Sequence, residues 1–466
     1  MVEYPYICAD FKPLDLAYSI KIPFRLLLVC LISFQVAVLF CAESNTAEIV
    51  AVQHDHGDHD GHDHGDHDGH DHGDHEDHGQ KDHGHELSCD HPHGDHDYDP
   101  KATALHHISD ANVYTILDWI RIPLPCIVYS KEAGWDFFMS SKFAPGHHDD
   151  GHYAYNGYVI HHGNLKRVVD SGFPMEGKQE VGSFLIKHVT RNGKEAEDAF
   201  VCYNNDKYAL ESRSTLDFGL LGGGLTGFYD FSITKNVMSM ILVSLLLFFL
   251  FRSIAKAYQR REGQAPSGIQ SLIEPVIVYI RDEVAIPFIG EHKYQKYFPL
   301  LLTMFFFILG LNLWGQVPFL GGTNVTGNLT VTFIITLIVF LITNFSGNKH
   351  YWGHILWMPG VPTWVKPLIA LIELMSLILK PLTLMLRLAG NISAGHIAIL
   401  SFVGLIFIFG DSGRSMTGGI VGAVLSTLLT LFMMAIELIV AFIQAFVFTL
   451  LSASYIGAAI EEPEHH

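Results

Sequence analysis

Pro381-Leu-Thr-Leu-Met-Leu-Arg387-Leu-Ala-Gly-Asn391-Ile-Ser-Ala-Gly-His396 puts an arginine, an asparagine and a histidine inside one of the most apolar stretches of this chain. A guanidinium cannot escape its charge by losing a proton. At bilayer depth it costs on the order of a few kcal/mol or more. The stretch lies in an apolar run, 367–410, that is followed by a second, 418–460. As straight helix each run would be roughly 60 Å long at about 1.5 Å per residue. The hydrocarbon core is only about 30 Å thick, so each run is expected to be strongly tilted, broken or folded back.

Working outward, shorter apolar runs occupy 23–42, 233–251, 299–320 and 329–345. The chain therefore reads as an all-α polytopic membrane protein with about five core transmembrane helices, each near the ~20 residues a span requires or longer. The first run follows Lys12, Lys21 and Arg25 and reads as a signal peptide or N-terminal anchor over 1–42. The 466 residues are 49% hydrophobic yet carry a formal charge of −19, because acidic residues crowd the first half and apolar runs fill the second. No nucleic-acid partner is expected. Four regions follow: 1–42; a His/Asp-rich tract, 43–100; an external region, 101–230; and a membrane domain, 231–460.

Orientation follows from lysine and arginine. Phe251-Arg252-Ser-Ile-Ala-Lys256-Ala-Tyr-Gln-Arg260-Arg261 is basic and belongs on the cytoplasmic side. Alternation then puts Lys349, Lys366 and the C-terminus in the cytoplasm and 43–232 outside, on the side the N-terminal signal also predicts. Of six cysteines, Cys89, Cys126 and Cys202 fall in the external part, where a disulfide is chemically permitted.

Residues 54–96 hold 15 of the 29 histidines, in near-repeats of His-Asp-His-Gly-Asp-His-Asp-Gly. Such a tract buries no core and is expected to be disordered. His54, His56, His59, His62, His64 and His67 offer weak binding to zinc or nickel. The plainer reading is a solvated linker lengthened by repeat expansion. Beyond it, 105–230 carries β-like segments, among them Pro123-Leu-Pro-Cys-Ile-Val-Tyr129 and Tyr155-Asn-Gly-Tyr-Val-Ile-His161, with scattered histidines. No other cofactor is expected.

Polar groups in the last two runs sort by helical phase, at about 100° per residue. Asn391 lies one turn beyond Arg387 on the same face, with Lys380 and Glu373 near it. His396 is nine residues beyond Arg387 and points the opposite way. Glu437 and Gln444 share one face of the final run. Histidine and glutamate exchange protons readily in a wet cavity.

These residues carry a resemblance. The Arg387–His396 segment is similar to the signature helix of subunit a of bacterial F-type ATP synthases. Glu437-Leu-Ile-Val-Ala-Phe-Ile-Gln444-Ala-Phe-Val-Phe resembles that family's last helix, and Leu311-Asn312-Leu-Trp-Gly-Gln-Val-Pro318 an earlier helix end. The resemblance covers roughly 230–460 and leaves the His/Asp-rich external region as an addition. It implies a non-catalytic proton-channel stator subunit of the Fo sector. The partners implied are the carboxylate-bearing c-ring, the subunit b stator, the F1 sector, protons and the lipid of the bacterial inner membrane. It further implies that Arg387 is the essential arginine facing the ring and that His396, Glu437, Asn391, Gln444 and Asn312 line two proton half-channels. A pair whose identities swap between family members, here His396 and Glu437, is expected to touch. A frequent acidic position three residues after Asn312 is Gly315 here. The coupling ion is set by the ring's site, on another chain.

A metal-ion transporter is the rival reading, suggested by the tract. It would need intramembrane ligand clusters such as His-x-x-x-Asp, and the core runs contain none. The absence of a Walker-type loop argues against ATP chemistry by this chain alone.

Overall fold

The computed structural model describes residues 89, 109–116, 120–146, 150–191, 194–214, 226–261, 264–317, 323–358, 360–410 and 415–462. The N-terminal apolar run and the histidines His54, His56, His59, His62, His64 and His67 lie outside them.

The first part is built from antiparallel strands. β1 (Val113–Ile116) pairs with β2 (Ile120–Pro123). β3 (Pro125–Ser130) and β4 (Gly134–Met139) join β12 (Phe228–Asp230) in a three-stranded sheet of order β12-β3-β4. The largest sheet has seven strands. They are β5 (Tyr153–Tyr155), β6 (Tyr158–His161), β7 (Asn164–Val168), β8 (Lys178–Glu180), β9 (Phe184–Arg191), β10 (Lys194–Tyr203) and β11 (Asp206–Ser212). Their order is β8-β5-β6-β7-β11-β10-β9.

Three two-residue turns fix its registers: Asn156-Gly157, His162-Gly163 and Asn204-Asn205, with φ of 51° and 76°, 48° and 74°, and 50° and 72°. Positive φ at both central residues is the type I′ hairpin turn, whose twist matches the flanking strands. Cys89 is bonded to Cys202 on β10, which settles the pairing the sequence left open. Cys126 is free and buried. Burial first, and the nearby Asp230 charge second, push its thiol up to about 12.

From Lys235 the chain turns helical. α1 (Lys235–Arg260) is followed by α2 (Ile269–Tyr279), a π turn at Ile280–Ala285 and α3 (Ile286–Ile289). Then come α4 (Tyr294–Gln316), α5 (Leu329–Ser346), α6 (Lys349–Leu356), α7 (Lys366–Phe409) and α8 (Met416–Ile460). Five of them, α1, α4, α5, α7 and α8, are long and apolar enough to cross a membrane. α7 and α8 run unbroken for 44 and 45 residues, so neither is broken or folded back. Pro381 sits inside α7 without ending it.

The spanning stretch of α4 is 67% buried against 17% for α7 and 28% for α8, so α4 is the central helix and the α7–α8 pair is peripheral. Together α7 and α8 present a broad exposed apolar face, including Leu382, Leu386, Leu438, Ile439 and Phe442.

Two joints hold the parts in register. At the start of α1 the Lys235 amide donates to the Ala111 carbonyl (2.7 Å) and the Asn236 amide to the Asp110 carboxylate (3.0 Å). Buried Tyr114 of β1 places its hydroxyl against Ser239 of α1 (3.5 Å) and accepts from Trp314 Nε1 of α4 (3.3 Å). At the far end of α8, last-turn carbonyls that helix geometry leaves unpaired are met from elsewhere. The Asn348 amide donates to Ala459 O (3.0 Å), Asn348 Nδ2 to Ile460 O (3.0 Å) and Lys293 Nζ to Ile460 O (3.0 Å).

Candidate functional site

α4, α7 and α8 meet along a buried polar seam. Asn312 is 3% exposed; its Nδ2 donates to Ala441 O (3.1 Å) and its Oδ1 accepts from Thr326 Oγ1 (2.6 Å). One turn further along α4, Gln316 Nε2 donates to Glu437 O (2.8 Å). The spacing of four on α4 answers a spacing of four, run backwards, on α8. The two helices are therefore antiparallel here and locked by side chain to main chain.

On this frame His396 Nδ1 lies 2.6 Å from Glu437 Oε1, with side chains 13% and 4% exposed. Burying a charge or an amide without a partner costs several kcal/mol, so the pairing is what makes Glu437 tolerable at this depth. Two glycines make the room. A Cβ on Gly395 would come within 2.8 Å of Glu437 Oε1. One on Gly315 would come within 2.5 Å of Thr323 O and 3.6 Å of His396 Nε2. The segment before α5 closes over the seam: Asn324 Nδ2 donates to Ser393 Oγ (3.3 Å), and Ser393 Oγ donates to Gly327 O (3.2 Å).

Arg387 lies on the other side of α7. It is exposed, as are Leu382 and Leu386 before it, and among the described residues it makes no hydrogen bond or ion pair. Asn391, one turn on, is exposed too, and Gln444 of α8 is buried at 8% exposure. Towards the N-terminal half of α7 a cavity of about 230 Å³ opens between α5, α6, α7 and α8, lined by Thr336, Thr343, Asn344, Tyr351, Lys380 and Tyr455 among others. Thr343 Oγ1 and Asn344 Oδ1 are buried there without a hydrogen-bond partner among the described residues, which suits a cavity that takes water. Along α7, then, come the cavity (Leu377 to Leu384), Arg387, and the seam (Ser393 to His396).

Of the residues singled out in the sequence, the structure brings together His396, Glu437 and Asn312, and sets Arg387 and Asn391 apart on the exposed face. Sequence reasoning missed Gln316, Asn324, Thr326 and Ser393. Their only advance signal was polarity beside apolar runs, which a solvated turn shares. A metal transporter would want ligands in the helices. Among the described residues the one group of three candidate ligands is Asp150, His161 and His162, in the strand-built part.

The family described as "ATP synthase A chain" matches residues 237–457, and a domain of unknown function (DUF8433) matches 103–185. The chain is 36% identical over 245 residues to the ATP synthase subunit a of Chloroherpeton thalassium, covering 51% of this chain and 70% of that protein. To the ATP synthase subunit a of Myxococcus xanthus it is 36% identical over 254 residues, covering 52% of this chain and 78% of that protein. To that of Pelodictyon phaeoclathratiforme it is 38% identical over 242 residues, covering 51% and 68%.

Proposed function

The chain belongs to the ATP synthase subunit a family, and from that membership we propose that it is the Fo stator subunit through which protons drive a rotating c-ring. It is a multi-pass membrane protein that works in ATP synthesis by proton transport and is not itself the ATP-handling catalyst. The observation that carries the finer reading is Arg387, a permanent cation with no ion pair or hydrogen bond among the described residues, set on an exposed apolar face between a polar seam and a polar cavity.

In this reading the α7–α8 face lies against the ring. Both helices exceed the bilayer thickness more than twofold, at roughly 66 Å for about 1.5 Å per residue, so they lie steeply tilted along it. A proton enters from the outer side past Asn312 and is handed through the hydrogen-bonded His396–Glu437 pair to a ring carboxylate. After rotation that carboxylate approaches Arg387. An opposite charge within about 4–6 Å favours the ionised form, so the proton leaves on the other side, by way of the cavity near Lys380 and Tyr455. Asn391 and Gln444 flank the arginine as polar positions. The guanidinium also bars a proton from crossing directly between the two paths, because a fixed positive charge repels it. In the same reading this cavity's end of the bundle lies in the bacterial cytoplasm and the strand-built part outside, which the basic end of α1 supports. Subunit b and F1 complete the stator and the motor.

The test is Arg387→Ala in the assembled enzyme. ATP synthesis driven by a proton gradient in inverted vesicles should vanish while the subunit remains in the membrane. Coupled synthesis at the normal rate would end this reading.

A further inference from the structure

The strand-built part contains a cluster that proton transport does not use. Asp150, His161 and His162 each offer a ligand atom, and these atoms lie within 4.8 Å of one another. His161 is 3% exposed, and its ring packs against those of Phe184 (centroids 4.6 Å) and His162 (4.1 Å). Its Nδ1 is 3.1 Å from Asp150 Oδ1, while its Nε2 is buried without a hydrogen-bond partner among the described residues.

The neighbouring turn adds a second observation. Of the three type I′ hairpins, two place asparagine at the first left-handed position, Asn156 and Asn204, as that conformation prefers. The third places His162 there, with φ 48°. Its amide donates to Asp150 Oδ1 at 2.6 Å. The turn thus turns a third candidate ligand towards the Asp150–His161 pair at the edge of the fold, where solvent reaches His162.

We propose that Asp150, His161 and His162 form a divalent transition-metal site, with zinc as its ligand. Two imidazoles and one carboxylate are a borderline donor set that suits zinc and its first-row neighbours and is poor for calcium or magnesium. Ligand atoms about 2.1 Å from one zinc ion stand roughly 3.4 Å apart in tetrahedral geometry. The Asp150–His161 separation of 3.1 Å is close to this, and the His162 ligand atom lies within 4.8 Å of both. Three protein ligands leave the fourth position to water or to an incoming donor. The bound ion would pin the β6–β7 turn to the segment at Asp150.

The test is zinc retention by the full-length chain, purified within its complex in detergent and dialysed against a chelator of micromolar zinc affinity. One zinc per chain should survive, with an X-ray absorption spectrum of nitrogen and oxygen ligation that includes two imidazoles. His162→Asn installs the residue the turn prefers, and Asp150→Asn preserves an acceptor for the His162 amide. Each should weaken retention by at least about tenfold. Deleting 54–85, which stops short of Cys89, should remove weakly held ions and leave this one. Unchanged retention in both point variants, or loss of the retained ion on the deletion alone, overturns the assignment.

Discussion

His396 Nδ1 and Glu437 Oε1 stand 2.6 Å apart, although 41 residues separate them along the chain. They meet because α4 holds α8 by Asn312 and Gln316 at one face while Gly395 lets the Glu437 carboxylate lie directly against α7. Neither helix alone carries the pair.

If the pair relays protons, its two identities should be exchangeable while its contact is not. Glu437→Gln and His396→Ala should each lower coupled ATP synthesis by roughly one to two orders of magnitude, in the range expected for losing an acid–base group. The double exchange His396→Glu with Glu437→His should recover a large part of that loss. Synthesis rates in inverted vesicles, normalised to assembled enzyme, give the answer. A double exchange no better than the singles would argue against a shared relay.

The two glycines of the seam should fail differently. At Gly315 an added methyl meets the Thr323 carbonyl, which is main chain and cannot rotate aside. Gly315→Ala should cost about 1–3 kcal/mol, as overpacking does, and lower the thermal midpoint of the solubilised subunit. At Gly395 the obstacle is the end of the Glu437 side chain, which can move. Gly395→Ala should assemble with near-normal stability and lose coupling. Equal stability losses in the two variants would refute the distinction.

The Cys89–Cys202 bond closes a loop with a sequence separation of 113. Cys202→Ser should destabilise the strand-built part by about 2–5 kcal/mol and leave α4, α7 and α8 untouched. Limited proteolysis resolves the two: earlier cleavage within 109–230, unchanged cleavage within the helices.

Two ion pairs should differ in weight, and not in the order of their distances. Asp230 and Arg213 lie 3.3 Å apart with side chains 1% and 11% exposed. Burial pulls the Arg213 guanidinium down, and the Asp230 charge holds it up. Asp230→Ala, which removes that carboxylate, should cost about 3–5 kcal/mol. Arg167 and Glu132 are closer, at 2.6 Å, but Glu132 is 79% exposed. Glu132→Ala should change stability by less than about 1 kcal/mol. Chemical denaturation followed by the tryptophan signal of Trp135 compares them.

Much of the membrane part was legible. Five spans follow from apolar runs alone, and the placing of Arg387 and His396 on opposite faces follows from about 100° per residue. The contact of His396 with Glu437 was expected from the resemblance and is present. Other features rest on pairings between distant parts of the chain, which local pattern does not encode. Asn324 and Thr326 lie between two apolar runs, yet they are buried at 3% and 1%, with Ser393 and Asn312 of the seam as their partners. α7 also continues through Pro381, which its 44 residues contain without interruption. Strand order β8-β5-β6-β7-β11-β10-β9 and the choice of Cys202 over Cys126 as the partner of Cys89 were likewise beyond a sequence reading.

The donors that close the end of α8 set a timetable. Asn348 and Lys293 precede their acceptor Ile460 by 112 and 167 residues. At about 5–20 residues per second of synthesis, they emerge roughly 6 to 33 seconds before the carbonyl they serve. Until then α4 and α5 sit in the membrane without the helix that ties them, and Asn312 without the Ala441 carbonyl. Assembly of the polar seam is therefore a late event of biogenesis, and a ribosome stalled before α8 would leave a nascent chain with its costliest polar groups still waiting.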